Sequence, residues 1–137
     1  MAKKRALKLD EYNIGRNAYW ELYYFCLQYP AKKRELAELR NPYTSPQITG
    51  MPRGGGRGDP TSRNAERAVE LSADCEMIEQ AAIEAAGRDY QYLLISVTEE
   101  VPHYYLQAVK GMRTGRDKFN SMRRRFYFLL AKSKKII

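Results

Sequence analysis

Between Pro60 and Ala86 the chain runs without an internal proline or glycine, and no other stretch limits the possible fold so strongly. Asp59 and Pro60 suit the N-cap and first helical positions, and Gly87 suits the residue just past the end. Inside that span Ala68, Leu71, Cys75, Ile78, Ala82 and Ala85 step alternately by three and four residues, the narrow seam of a helical bundle or coiled coil. A helix of about 27 residues is roughly 40 Å long, so a small domain has to be arranged around it. From 59 to 86 there are seven acids and two arginines, which makes its outer face acidic and unsuited to DNA. The helix is expected to be a scaffold whose exposed length can pair with a second copy.

The flanking segments read as shorter helices. Over 12–28, Tyr19, Leu22, Tyr23 and Cys26 recur at helical spacing, and Tyr29-Pro30 interrupts the pattern. Pro30 then fits the first turn of a second helix over 31–40, with Leu36 and Leu39 on its apolar side. The aromatic cluster of the first helix could stack on bases, but helical spacing favours core packing. Residues 41–58 hold three prolines and a run of glycines, and predict a loop. Its Arg53 and Arg57 are candidate contacts to a nucleic-acid backbone. The loop lacks the spacing of a phosphate-binding P-loop. Residues 88–100 predict a short helix buried through Tyr90, Leu93, Leu94 and Val97. Their β-branched content also allows a strand, for which no partner strand is available.

Charge is concentrated at the other end. Ten of the 24 basic residues fall between Lys110 and Lys135 against one acid, Asp117, so this segment carries +9 of a net charge of +8. The segment 88–137 reads as ending in a helix-turn-helix. Its first helix spans Pro102 to about Val109, the turn is Lys110-Gly111-Met112, and Thr114 caps the second helix in a Thr-x-x-Asp box with Asp117. Phe119, Met122, Phe126 and Leu129/Leu130 face the core. A helix in the major groove reads bases with its first turns, which makes Arg116, Lys118 and Asn120 the candidates for base readout. Arg113, Arg123, Arg124, Arg125 and Lys132 are assigned to phosphates, which supply affinity without specificity.

This tail resembles the sigma-factor region 4 type of helix-turn-helix. Set at Gly115, that pattern meets Lys118, Phe119, Arg125, Phe126 and Leu130; Phe119, Arg125 and Leu130 agree with it, whereas Lys118 and the bulky Phe126 depart. The wider layout is also familiar. An aromatic helix ends in Cys26-x-x-Tyr29-Pro30, a charged Lys-Arg-Glu-Leu-Ala-Glu-Leu helix follows at 33–39, and a Pro/Gly loop, a long acidic helix and a basic tail complete it. The chain thus resembles prophage proteins of gram-positive bacteria grouped with RinA-type late transcriptional activators. The resemblance implies a bacteriophage DNA-binding regulator of late or packaging genes.

Other classes are disfavoured. No apolar run approaches the ~20 residues of a membrane span, and the basic start, with Lys3, Lys4, Arg5 and Lys8, has no apolar segment behind it to suggest a secretory signal. Cys26 and Cys75 are too few and too far apart for a disulfide scaffold or zinc site and read as reduced core residues. The single histidine, His103, and the adjacent Glu99-Glu100 form no catalytic constellation. The expectation is an all-α single domain, a small helical bundle with one long central helix and a C-terminal helix-turn-helix, without enzymatic activity, metal or cofactor. It is expected to bind double-stranded DNA as a homodimer in the cytoplasm of a bacterial host, with host RNA polymerase as a candidate partner and no membrane association. The alternatives are a phage DNA-packaging component of small-terminase type and an inhibitor that sets its basic helix against an acidic protein.

Overall fold

The computed structural model describes residues 7–40 and 60–137. They form six α-helices, with no strand among the described residues: α1 Arg16–Leu27, α2 Tyr29–Arg40, α3 Pro60–Ala86, α4 Tyr90–Glu99, α5 His103–Ala108 and α6 Arg116–Ser133. The result is the all-α bundle with one long helix that the seam called for. The loop expected over 41–58, with Arg53 and Arg57, lies outside the described residues, as do Lys3, Lys4 and Arg5.

The spine is α3, which packs against α2, α4 and α6. Its seam is where periodicity put it: Leu71, Cys75, Ile78 and Ala82 are buried. Gly87 ends the helix in the left-handed region, with φ of 56°, a geometry that glycine adopts at little cost. A 3-10 turn, Gly87–Asp89, then redirects the chain into α4, and the short helix expected over 88–100 is formed by Tyr90–Glu99. Two acids of α3 and one of its arginines pair across to α2. Lys32 reaches Asp74 at 2.8 Å, Lys33 reaches Glu79 at 3.2 Å, and Arg67 of α3 holds Glu35 at 2.9 Å. Exposed and partly exposed pairs of this kind contribute little to stability, so they mainly fix the register of the two helices.

The first helix begins later than the apolar pattern predicts. Asp10–Tyr12 form a separate 3-10 turn, Asn13 takes a left-handed conformation with φ of 57°, and Gly15 is the extended N-cap of α1. Tyr12 therefore leaves the helix and stacks on Phe128 of α6, with ring centroids 4.6 Å apart. The break before α2 is a single residue, Gln28, and Pro30 sits in the first turn of α2, where its missing N–H has no helical acceptor to lose. The aromatic cluster of α1 divides: Tyr19 is buried against Tyr127 of α6, with centroids 5.1 Å apart, whereas Tyr24 is exposed. Core packing, not a stacking platform, accounts for Tyr19.

Burial raises the Cys26 and Cys75 thiols above their ordinary value of 9.0, and the Tyr19 and Tyr127 phenols above 10.0. The unfolded chain loses these protons first as pH rises. Their contribution to stability is therefore complete below about pH 9 and declines above it, by roughly 1.4 kcal/mol per pH unit for each group ionised only when unfolded. Urea melts between pH 7 and 11 are expected to show a midpoint that falls steeply above pH 9; a flat midpoint to pH 11 would contradict burial of these groups.

Candidate nucleic-acid interface

The basic tail folds as α5, a connection and α6. Gly111 takes a positive φ of 80°, as the turn requires. The connection is longer than the expected Lys110-Gly111-Met112 turn, because helix resumes only at Arg116 and residues 109–115 lie between the two helices. It is packed, not loose: Met112 is buried and its N–H donates to the Leu106 carbonyl at 3.0 Å. Thr114 does not cap α6. Gly115 is the N-cap, without a side-chain cap bond. The Thr114 hydroxyl instead donates to Asp89 at the start of α4, and its carbonyl accepts from His103 at 2.8 Å and Gln107 at 3.1 Å. Thr114 thus ties the connection to both α4 and α5, a long-range role with no local sequence signal.

Phe119, Phe126, Tyr127, Leu130 and Ala131 are the buried side of α6, turned toward the spine and α1. Met122 and Leu129 sit at its margins, half-buried. On the other side Lys118, Arg125 and Lys132 are exposed. Seven residues are close to two helical turns, so these three form one ridge with steps of about 10 Å. Arg116, at the first position of α6, and Arg113, in the connection, are also exposed. None of these cations lies within ion-pair distance of a carboxylate among the described residues; the ion pairs of α3 are made with α2 or within α3 itself.

The consecutive arginines are split by the turn of the helix. Arg125 joins the ridge and Arg124 is half-buried at the edge. Arg123 falls four residues after Phe119 and three before Phe126, on the side that packs. Its Nε is buried with no acceptor, and its Nη1 donates to the Asn120 side-chain oxygen at 3.4 Å. Asn120 is likewise half-buried and lines the same cleft as Arg123. The predicted site residues therefore separate into two groups: Arg113, Arg116, Lys118, Arg125 and Lys132 stand in the open, and Asn120 and Arg123 face inward. The signal for Arg123 was its spacing from Phe119 and Phe126, which its two arginine neighbours obscured.

Among the described residues no helix is long and apolar enough to cross a membrane, and no group of three or more His, Cys, Asp or Glu could hold a metal ion. No protein-family model, curated protein sequence or solved structure matches the chain.

Proposed function

We propose that the protein binds double-stranded DNA through the exposed side of α6, and acts as a bacteriophage or prophage transcriptional regulator in the bacterial cytoplasm. The observation that carries the reading is the ridge of Lys118, Arg125 and Lys132, extended by Arg113 and Arg116, which no carboxylate of the described residues neutralises. Cations left unpaired and set along one helix attract a polyanion, and an α-helix fits the major groove. Arg116 and Lys118, in the first turn of α6, take the base edges. Arg113, Arg125 and Lys132 take phosphates, with Arg124 beside them. Asn120 has to exchange its bond with Arg123 before it can reach a base. Phage regulation is supported by the resemblance to RinA-type activators, and RNA polymerase is the partner it suggests.

One such helix reads only a few base pairs, so paired half-sites and a homodimer fit the reading. The test is selection of bound sequences from a random duplex pool, with light scattering on the same sample. A recovered site of two related halves and a dimeric mass are the expected results. No retention of duplex at about 50 mM salt would remove the proposal, since the electrostatic term is strongest there. A ring of eight or more subunits would favour a packaging component.

A further inference from the structure

The inward pair on α6 opens onto a cleft of about 450 Å³ between α1, the α4–α5 junction and α6. Glu100, His103, Phe119, Asn120, Arg123 and Tyr127 line it. A space of that size is typical of small-ligand pockets, which combine apolar walls with a few convergent polar groups. Here the walls are the Phe119 and Tyr127 rings. The polar groups carry an anomaly: both the Arg123 Nε and the Tyr127 hydroxyl are buried without a hydrogen-bond partner. Buried donors are nearly always paired, and two unpaired ones lining a single cleft call for an explanation. Both lack the same thing, an acceptor.

Position and charge narrow what would supply it. Arg123 occupies a place on α6 where an apolar residue would pack, next to fully buried Phe126 and Tyr127. Its Nη1 is engaged by Asn120, which leaves the edge carrying Nε, the edge that can meet a carboxylate in two parallel bonds. Burial keeps the Tyr127 phenol protonated and able to donate. The cleft contains one guanidinium and one carboxylate, that of Glu100, which accepts from the Tyr23 hydroxyl. A singly charged anion suits that balance better than a phosphate dianion. Glu100 itself holds a left-handed backbone, φ 56°, at the end of α4, where glycine is the usual residue. Such strain in a non-glycine residue clusters at ligand sites.

We propose that this cleft binds a small planar organic carboxylate, with its carboxylate on Arg123, an oxygen within reach of Tyr127, and its flat body against Phe119. None of the ridge cations lines the cleft, and the site is tested without DNA. Benzoate serves as the probe, with benzamide as the neutral isostere and inorganic phosphate as the alternative anion, each titrated into the full chain and followed by the 15N-labelled arginine Nε–H resonances. One buried arginine resonance is expected to shift saturably with benzoate at a dissociation constant near or below about 1 mM, reasonable for so small a ligand. Benzamide and phosphate are expected to bind at least ~10-fold more weakly, since each lacks part of the match: charge or shape. Arg123→Met is expected to abolish benzoate binding and to leave the thermal midpoint equal or higher, because it removes an unpaired buried donor. Benzamide or phosphate binding as tightly as benzoate, or no saturation by 10 mM benzoate, would overturn the proposal. The resonance measurement uses the unaltered chain, so it decides the matter even if the variant misfolds.

Discussion

Replacing Arg113, Arg125 and Lys132 together by alanine is expected to lower affinity for duplex DNA by two to three orders of magnitude near 0.1 M salt. Each phosphate contact releases about 0.9 of a counterion, so three lost contacts cut the slope of log K against log salt by about 2.7. All three side chains are exposed and lie outside the core, so the substitutions are expected to change stability by no more than about 0.5 kcal/mol each. The loss should be nearly the same for every sequence. Arg116→Ala is expected to behave differently, relaxing preference at one base position while removing less affinity. Anisotropy titrations at four salt concentrations distinguish these outcomes. Parallel salt slopes for parent and triple variant would show that the ridge does not meet phosphates.

The second large effect is on folding. Phe126 is fully buried in the central cluster, edge-on to Tyr127 with centroids 5.1 Å apart. Phe126→Ala is expected to cost about 3–5 kcal/mol, from lost transfer energy and the cavity left behind. That is a large part of the ~5–15 kcal/mol by which domains are usually stable. Phe128→Ala is the control: Phe128 is only half-buried and stacks on Tyr12 at the surface, so its loss is expected to be much smaller. Chemical denaturation of the two variants makes the comparison, and a larger loss at Phe128 would contradict the burial order along α6.

Some of this was legible in the amino-acid sequence because it depends on short-range rules. The extent of α3 follows from Pro60 and Gly87, and its buried positions from a three-and-four alternation. The aromatic run of α1 shows its core side at Tyr19 but hides its start, because Asn13 and Gly15 break a pattern that composition alone would continue. Thr114 has the chemistry of a cap and became a cross-brace: α6 takes Gly115 as its N-cap, and the Thr114 hydroxyl donates to Asp89 instead of accepting from the first-turn N–H groups of α6. At the candidate site, exposure of Arg116, Lys118, Arg125 and Lys132 followed from helical phase. Arg123 was obscured by its neighbours: a run of three identical side chains suggests one surface, whereas successive residues on a helix point about 100° apart.

The way α6 is enclosed has a practical consequence. Tyr12 stacks on Phe128, the Lys134 ammonium lies 3.8 Å from the Phe25 ring centre, and Tyr19 meets Tyr127. The basic helix is thus sheathed by residues that lie about a hundred positions earlier in the sequence. A peptide cut to the basic helix and its short companion would have no hydrophobic bed to lie on, and would be a coil in water. Grafting the cationic stripe elsewhere, or assembling it from split fragments, therefore requires carrying the amino-terminal aromatics along with it.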